Sequence, residues 1–382
     1  MPTATEVAGL SDTQRQIVDL AREFARTRIE PHAAEWDRAA RYPAAVLAEL
    51  GSLGFLGMLA PDAHGGMGLD LLTYLLVLEE LAAADAGLAV TVNIHHAVQL
   101  GFLSRHGSPA QQERWLRPLA AGELVAALAI AEPEAGSDVA ALRAQATRRG
   151  DGWALSGTKA WVTNGAIAGV AVVLARTPGG ISAFMVPTDA PGYRAGAPAD
   201  TMGLRSAPLV SVVLEGVTVP PDHLFGGDGQ GLACAQDALD ATRLGTAAVA
   251  VGIARRSLEH AVGYCAERRQ FGKALREFEA VQFKLADMAT RIAAARALAH
   301  EVAARADRGG AALGAAASMA KLCASEAAMW VTTQAVQLFG GYGYMRDFPV
   351  EKLLRDAKAT ELYDGTSELQ RLIVARDLYT GR

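Results

Sequence analysis

Hydrophobic positions recur with a helical period in the first third of the chain. Ile17, Leu20, Phe24 and Ile29 lie three to five residues apart, so a helix would place them on one face. Ser11 precedes them and is a residue type that caps helix N-termini. A glycine-rich segment, APDAHGGMG, interrupts the pattern before an apolar helical run, LLTYLLVLEELAAAD, resumes it. These patterns predict that the first block of the chain is helical.

The middle of the chain changes to short β-rich runs separated by turn residues. The runs include GDGWALSGTKAWVTNG, VAVVLARTPGGISAFMVP and LVSVVLEGVTVP, and prolines close several of them. Breaks of the type GDG and PGG between apolar runs are typical of tight hairpins. We therefore predict a compact β domain in this part of the chain.

Helical periodicity returns in the last third. Val281, Leu285, Met288 and Ile292 are spaced as a buried helix stripe requires. The alanine-rich segment MATRIAAARALAHEVAARAD is typical of helices in antiparallel bundles. The predicted fold class is α+β, with an N-terminal helical domain, a middle β domain and a C-terminal four-helix bundle, and the predicted domains are residues 1–124, 125–229 and 230–382.

Composition and charge exclude several classes of protein. The 382 residues carry a formal net charge of −5 and a pI near 5.9, whereas nucleic-acid binding requires a basic face. Apolar runs are short, and no basic segment followed by an apolar one opens the sequence. The three cysteines lack a metal-binding spacing. We expect no nucleic-acid, membrane or metal partner, and the abundance of alanine, arginine and glycine suggests a bacterial, cytoplasmic setting.

Short catalytic motifs give little help. No GxGxxG follows a predicted strand, and no Walker loop, HExxH or GxSxG is present. The segment Ser318–Lys321 matches SxxK, the nucleophile motif of some acyl-transfer enzymes. It lies in an alanine-rich helical pattern without the partner motifs, so we assign it no nucleophilic role.

Five unusual stretches occur in order along the chain, and together they resemble the acyl-CoA dehydrogenases. They are AEPEAGSDVAAL (131–142), KAWVTNG (159–165), AERRQFGKAL (266–275), QLFGGYGYMRDFPVEKLLRDAK (337–358) and LYDGTSELQRLIVAR (362–376). The resemblance covers nearly the whole chain. It implies an FAD enzyme that removes two hydrogens from an acyl-CoA thioester and passes electrons to an electron-transferring flavoprotein. It also implies a homotetramer built as a dimer of dimers, or in some members a dimer.

The resemblance also assigns roles to individual residues. One loop would offer backbone N–H groups to the flavin, and one strand would place an indole and a hydroxyl beside it. A basic and aromatic pair would contact the FAD of a neighbouring subunit. The implied cofactor-binding residues are Ala131, Gly136, Ser137, Trp161, Thr163, Arg268, Phe271, Gln337, Gly340, Gly341, Thr366 and Glu368. The implied substrate-binding residues are Ser137, Asp240, Arg243 and Gly365.

Asp364 stands where the family, usually with the sequence YEGT, carries its catalytic glutamate. An Asp-Gly pair by itself most often marks a turn, and Ser367 with Gln370 would form a capping box for the next helix. Some family members carry the base elsewhere, at the position of Thr242, which cannot accept the proton. The resemblance therefore implies that Asp364 abstracts the α-proton.

The exchange of glutamate for aspartate bears on the substrate. It withdraws the carboxylate by about one C–C bond, ~1.5 Å. An α-branched or cyclic acyl group would occupy the space that is left. Two alternatives stay open, a thioester on a carrier protein and a flavin oxidase or monooxygenase on the same fold, similar to nitroalkane oxidase.

Further departures from the family pattern concern charge and polarity. Ala131 stands where a hydroxyl residue is usual, and Glu279 and Glu368 stand where glutamine is usual. His95 and His96 lie on the helix that would border the acyl tail. They are expected to be packing histidines or, alternatively, sensors of a polar acyl group.

Overall fold

The first block is helical, as its hydrophobic pattern predicts. In the computed structural model, which describes residues 9–309 and 313–380, the Ser11 hydroxyl caps the first helix in a capping box. Val18 is buried on this helix, whereas Leu20 is 46% exposed, so Leu20 lies outside the buried face. Two residues correspond to about 200° around a helix, which turns Leu20 away from Val18. The helices are α1 (Asp12–Phe24), α2 (Glu30–Ala39), α3 (Ala44–Ser52), α4 (Leu71–Ala84), α5 (Ala86–Ala97) and α6 (Pro109–Ala120).

Helix α5 continues as a π-helical segment, Val98–Ser104, and the two run through the core. Within the described residues, Ala86–Ser104 is the one helical stretch long and apolar enough to cross a membrane by length and composition. Inside this molecule 94% of that stretch is buried. Burial of this kind is typical of the core helix of a globular domain.

The middle block forms one seven-stranded mixed sheet in the order β1-β4-β2-β3-β7-β6, with β5 paired to β4. Both predicted hairpins are confirmed, since Arg149 pairs with Gly152 and Thr177 pairs with Gly180 across two-residue loops. One sheet face packs on α6 and the start of α7. The strands are β1 (Ala126–Ala129), β2 (Gln145–Arg149), β3 (Gly152–Thr163), β4 (Val170–Thr177), β5 (Gly180–Pro187), β6 (Tyr193–Ala195) and β7 (Leu209–Val219).

The last block is the predicted helical bundle. Helices α7, α8 and α9 pack on one another, α10 packs on α7 and α9, and α11 packs on α9. In the predicted stripe Met288 and Ile292 are buried, and Val281 and Leu285 pack against the same core while partly exposed. A short hairpin separates the first two long helices. These elements are α7 (Gly231–Glu267), β8 (Arg269–Gln270), β9 (Lys273–Ala274), α8 (Glu279–Asp307), α9 (Gly314–Phe339), α10 (Val350–Thr360) and α11 (Ser367–Thr380).

Buried ion pairs join the first block to the bundle. Arg255 on α7 bonds Glu79 and Glu80 on α4, at 2.9 and 2.8 Å, and Arg296 on α8 bonds Glu79 at 2.6 Å. All four side chains are nearly buried. Buried charges are tolerated only when paired, so this network holds the three helices in one arrangement.

Candidate active site

Asp364 lies in the turn between α10 and α11, in the left-handed backbone region with φ +57°. Gly365 follows with φ +96°. The half-buried carboxylate accepts a hydrogen bond from the Thr246 hydroxyl of α7, with 3.0 Å between Oγ1 and Oδ2. Asp364 is therefore a turn residue whose carboxylate also faces the bundle.

The carboxylate of Asp364 has an altered acidity. Burial raises its pKa above the ordinary value of an aspartate. Lys321, the Thr246 hydroxyl and Arg243 act in the opposite direction and offset only part of this effect. A carboxylate that is harder to ionise is a stronger base once it is ionised, which is the property needed to remove a weakly acidic proton.

Arg243, a predicted substrate-binding residue of α7, reaches this turn, and Asp240, another, holds Arg243. Arg243 is buried, and its Nε donates to the Asp364 carbonyl at 3.3 Å while Nη1 donates to Asp240 at 2.6 Å. The second carboxylate oxygen of Asp240 accepts from the Gly314 amide at 3.1 Å. The fold thus brings Asp240, Arg243, Asp364 and Gly365 together, and their contact with a substrate stays a prediction.

The start of the last helix differs from the predicted capping box. Ser367 is already the first helical residue, so the cap is Thr366, whose hydroxyl accepts from the Leu369 amide at 3.3 Å. The Gln370 side chain donates instead to the Asp364 carbonyl at 3.2 Å and to the Gly365 carbonyl at 2.9 Å. The glutamine of the expected box therefore stabilises the Asp364 turn.

The predicted flavin loop is anchored by a buried ion pair. Glu132 accepts from the Lys159 ammonium at 2.8 Å and from two backbone amides, those of Arg143 at 2.6 Å and Ala144 at 2.9 Å. Burial raises the pKa of Glu132, but these partners outweigh it and the net shift is downward. The pair fixes the base of the loop, whose tip at 136–137 is exposed.

The adjoining strand presents the predicted indole. The Ala160 amide donates to the Ala131 carbonyl at 2.9 Å, which ties β3 to the flavin loop. Trp161 follows at a register irregularity with φ +58°, and 66% of its surface is exposed. Thr163 is half-buried two residues later. Ala131, Trp161 and Thr163 therefore share one region with the loop.

A second group of predicted residues lines a cleft in the last block. The cleft has a volume of about 520 Å³, and its walls include Arg268, Gly340 and Gly341. Gly340 has φ +59°, where a side chain is disfavoured, and a Cβ there would meet no protein atom within 4 Å. Gln337 is exposed one turn earlier on α9. The cleft is thus open to a group that approaches the glycine backbone closely.

Phe271 stands at the tip of the β8–β9 hairpin. It has φ +52° and Gly272 has φ +83°, so both tip residues are left-handed, as in type I′ turns. Asparagine or aspartate is usual at the first of these positions, and a phenylalanine there is strained by about 1–2 kcal/mol. The ring is 92% exposed. A strained, exposed aromatic residue is typical of a functional contact.

Left-handed backbone marks several predicted site residues. Strained conformations of bulky residues persist only where the surrounding structure imposes them, and they cluster at functional sites. Within the described residues, the non-glycine positions with positive φ are Ala40, Trp161, Asn164, Leu204, Phe271 and Asp364. Three of these six positions belong to the predicted site.

The two histidines of α5 differ in their hydrogen bonding. His95 is satisfied on both ring nitrogens, since Nε2 lies 3.0 Å from the Leu56 carbonyl and Nδ1 accepts from the Ala126 amide. Among the described residues, His96 bonds the Val92 carbonyl alone, through Nδ1 at 3.0 Å, and its buried Nε2 finds no partner there. His95 is therefore a packing histidine, whereas His96 keeps a free ring nitrogen.

His96 borders a narrow crevice that is also lined by Tyr74, the α4 residue on which Asp364 acts electrostatically. The Tyr74 hydroxyl donates to Asn93 at 2.9 Å across this crevice, and Asn93 in turn donates to the Thr242 carbonyl of α7. Burial lowers the pKa of His96 to about 3, so its imidazole is neutral near pH 7. The crevice is lined by Leu59, Leu71, Tyr74, Leu75, Asn93, His96, Ala97, Ala241 and Leu244.

The two glutamates at usual glutamine positions lie at helix starts. Glu279 is the first residue of α8, and Glu368 is in the first turn of α11. Both are exposed. Backbone N–H bonding at the helix start lowers the pKa of Glu368. The helix dipole therefore favours negative charge at both positions.

Sequence reasoning missed three side chains at the site. Thr246 bonds the Asp364 carboxylate, Lys321 bonds the Gly365 carbonyl at 2.6 Å, and Tyr74 faces Asp364 from α4. Lys321 was noticed only within an SxxK motif. Its position on the buried side of an alanine-rich helix could have indicated a structural role, because a buried lysine requires a partner.

Comparison with known proteins places the whole chain in one class. The acyl-CoA dehydrogenase N-terminal, middle and C-terminal domains match residues 11–123, 127–217 and 229–379. The human mitochondrial short-chain specific acyl-CoA dehydrogenase is 39% identical over 97% of this chain and 90% of its own length. A three-domain, flavin-binding oxidoreductase is thus the class that fold and site define. The chain belongs to the acyl-CoA dehydrogenase family.

Solved structures agree with this assignment. Butyryl-CoA dehydrogenase from Megasphaera elsdenii superposes with a TM-score of 0.95 at 38% identity, over 97% of this chain and 99% of that one. A chain solved in work on the electron transferring flavoprotein of Acidaminococcus fermentans gives 0.95 at 39% identity, over 98% and 99%. The prolyl acyl carrier protein oxidase AnaB gives 0.93 at 32% identity, over 97% and 99%. The protein is accordingly an FAD-dependent oxidoreductase.

The residues present fit FAD. The exposed Trp161 indole offers an aromatic surface, and the loop tip at 136–137 offers backbone N–H groups. The glycine-lined cleft carries the Arg268 guanidinium, which suits an anionic pyrophosphate. Among the described residues no group of three or more His, Cys, Asp or Glu side chains is arranged to hold a metal ion.

Proposed function

We propose that this protein removes two hydrogens from the α and β carbons of a compact acyl-CoA thioester, with Asp364 as the base. The observation that carries the proposal is the Asp364 carboxylate itself, half-buried on a strained turn, hydrogen-bonded to Thr246 and raised in pKa. Thr242 stands at the alternative base position of the family, and its hydroxyl donates to the Leu239 carbonyl within its own helix. Asp364 is therefore the base we assign.

The residues around the turn have different roles in the proposed reaction. Asp364 accepts the α-proton, and Thr246 orients the carboxylate oxygen that it bonds. Bound FAD supplies the acceptor for the β-hydrogen. Partial burial raises the pKa of Asp364 and so keeps its basicity above that of an exposed aspartate. The contact of Arg243 on α7 with the turn helps to hold the carboxylate in place. Position matters, because a misplacement of about 1 Å can lower a rate by on the order of 10²-fold.

A compact acyl group suits the space on both sides of Asp364. Aspartate ends about 1.5 Å short of a glutamate carboxylate, which leaves room for a branch or ring at the α carbon. The crevice beyond it is narrow and is crossed by the Tyr74 to Asn93 hydrogen bond. Among relatives, the short-chain specific and butyryl-CoA enzymes act on small acyl groups by name. We therefore propose a short acyl group that is α-branched or cyclic.

Partners and setting are part of the same proposal. The similar chain studied with electron transferring flavoprotein supports such a flavoprotein as electron acceptor. Large apolar side chains on α8 and α11, including Phe283, Leu372 and Leu378, are exposed on the single chain and support a homotetramer. We propose a cytoplasmic location, from composition alone.

A second candidate substrate is a ring-bearing thioester on a carrier protein. The similarity to the prolyl acyl carrier protein oxidase favours it, because a prolyl group places a ring at the α carbon. The shortened base at position 364 would serve such a group equally well. In that case the electron acceptor would be oxygen instead of a flavoprotein.

The test is anaerobic bleaching of the bound flavin with straight-chain, α-branched and cyclic acyl-CoAs. We expect the wild type to prefer a branched or cyclic substrate and Asp364→Asn to be inactive. Asp364→Glu restores the longer reach and should lower the ratio of cyclic to straight-chain rates by on the order of 10²-fold. A straight-chain preference that Asp364→Glu leaves unchanged would contradict the substrate proposal.

The same preparations distinguish the second candidate. Bleaching by prolyl or other cyclic groups only when they are attached to a carrier protein would favour the carrier substrate over CoA. Rapid oxygen consumption in the aerobic reaction would identify an oxidase. Bleaching that survives in Asp364→Asn would show that Asp364 only shapes the turn.

A further inference from the structure

Lys321 is a fully buried lysine in the middle of α9. A lysine is almost never fully buried unless it is paired. Its ammonium donates to the Gly365 carbonyl with 2.6 Å between Nζ and O, across 44 positions of sequence. The direct partner is thus the residue that follows the proposed base.

Lys321 is one of two buried cations that hold consecutive carbonyls of this turn. Arg243 donates from α7 to the Asp364 carbonyl at 3.3 Å, and Lys321 donates from α9 to the Gly365 carbonyl. Gln370 donates to both carbonyls. Each carbonyl therefore has two donors, and the backbone of the turn is fixed from two helices of the bundle while the Asp364 side chain remains free to react.

Lys321 also acts on the carboxylate through its charge. Burial lowers the pKa of Lys321 to about 8, with Asp364 as the largest opposing influence, so the ammonium is charged at neutral pH. In turn Lys321 is the largest influence that opposes the burial of Asp364. The charged and titratable groups facing this pair are Arg243 from α7, Tyr74 from α4, and Glu361, Tyr363 and Glu368 from the turn and its flanks.

We propose that Lys321 is the positioning residue of the catalytic turn, which fixes the Gly365 carbonyl and places a positive charge next to the residue that carries the base. The inference rests on the proposed role of Asp364 as the base. It assigns a function to a residue that the nucleophile motif SxxK does not explain. Lys321 is not a nucleophile, because its ammonium is committed to the turn.

The experiment compares three substitutions of Lys321 by the pH dependence of kcat/KM. Lys321→Gln keeps a neutral donor, Lys321→Met removes donor and charge, and Lys321→Arg keeps the charge. Lys358→Met is the matched control, because this lysine is 44% exposed and pairs with Glu361 near the same turn. Melting temperatures are measured for every variant.

The expected result separates charge from hydrogen bonding. Without the nearby cation Asp364 stays protonated up to a higher pH. The acid limb of the kcat/KM profile should therefore move to higher pH, by about one pH unit, in Lys321→Gln and Lys321→Met. This corresponds to a rate about tenfold lower at pH values below the limb. Lys321→Met should also lose rate on the plateau, since the turn is loosened. Lys321→Arg and Lys358→Met should keep the wild-type limb.

Two results would overturn the inference. One is an acid limb that stays in place in both neutral variants, so that any loss of rate is equal at every pH. The other is an equal shift in Lys321→Arg, which retains the charge. If Lys321→Met does not fold, Lys321→Gln and Lys321→Arg decide the question by the same limb.

Asp364→Asn is assayed beside them to separate this inference from the proposed function. A variant Asp364→Asn with the wild-type rate would overturn the proposed function and the role of Lys321 with it. An inactive Asp364→Asn combined with an unmoved limb in Lys321→Gln would overturn the role of Lys321 alone.

Discussion

Asp364 combines two properties that oppose each other in an ordinary turn. Its backbone is left-handed, a conformation that aspartate and asparagine tolerate better than most residues. Its carboxylate is placed against the bundle, where burial raises the pKa. The turn and the chemistry are therefore not alternatives, since the turn is what aims the carboxylate.

This combination predicts that Asp364→Asn inactivates the enzyme without destabilising it. Loss of a general base should lower the rate by about 10²–10⁴-fold. The folded-state pKa is raised, so ionisation of Asp364 favours unfolding once the pH exceeds about 4, the ordinary aspartate value. The melting temperature of Asp364→Asn relative to the wild type should therefore rise as pH increases from about 4 toward neutrality.

Asp364→Ala is the control for the backbone. Alanine is strained at φ +57°, so this variant should be inactive and also less stable than Asp364→Asn. Equal melting temperatures of the two variants would mean that the left-handed turn carries no strain. If the wild type instead becomes more stable relative to Asp364→Asn as the pH rises, the pKa of Asp364 is not raised.

At the scale of elements, the flavin loop depends on a contact between two segments. Glu132 in the loop and Lys159 in β3 form a pair that is nearly buried on both sides. The same carboxylate accepts two backbone amides at the start of β2. The loop, β2 and β3 are thus held together by one side chain.

We predict that removing one member of this pair is strongly destabilising. Lys159→Met leaves a buried carboxylate without its cation, which should lower the free energy of unfolding by about 3–5 kcal/mol. The double variant Glu132→Gln with Lys159→Met should recover part of this loss, because no buried charge remains. Denaturant unfolding measures both.

An exposed ion pair in the same loop serves as the control. Arg143 and Glu134 lie 2.8 Å apart with both side chains exposed. Glu134→Gln should change the free energy of unfolding by less than about 1 kcal/mol. If Lys159→Met also lowers the free energy of unfolding by less than about 1 kcal/mol, the buried pair does not anchor the loop.

Across the whole molecule, the predicted FAD-binding residues fall into three groups. One surrounds the flavin loop and Trp161, the second lines the cleft with Arg268 and Gly340, and the third, Thr366 with Glu368, lies at the start of α11. The strained, exposed Phe271 points out from the second group. This division supports a site that is completed by a neighbouring subunit.

Mixed oligomers test this arrangement. A subunit with Asp364→Asn and a subunit with Arg268→Ala should each be inactive as pure oligomers. If each site combines Asp364 of one subunit with Arg268 of its neighbour, half of the sites in a mixed dimer carry both wild-type residues. Purified mixed dimers should then have about half of the wild-type activity, and a randomly associated coexpression product about a quarter. No recovery in verified mixed oligomers would show that both residues serve the same subunit's site.

Elements with local causes were predictable from the amino-acid sequence. The Ser11 cap, the two-residue hairpin at Gly150–Asp151 and the division into helical, β and helical blocks all follow from patterns a few residues long. The site residues were found through resemblance over five ordered stretches. Their direct roles toward cofactor and substrate stay predictions.

The contacts that hold these residues became visible in the folded chain. Thr246, Arg243 and Lys321 meet the Asp364 turn across 118, 121 and 44 positions of sequence. Local periodicity places a lysine on a helix face, but it does not reveal which carbonyl lies opposite. Even the cap at Thr366 and the exposure of Leu20 depended on helix starts and rotations set by packing. The reason is physical: propensity and turn chemistry act between neighbours, whereas burial, and with it the pKa of Asp364, exists only after distant helices have packed.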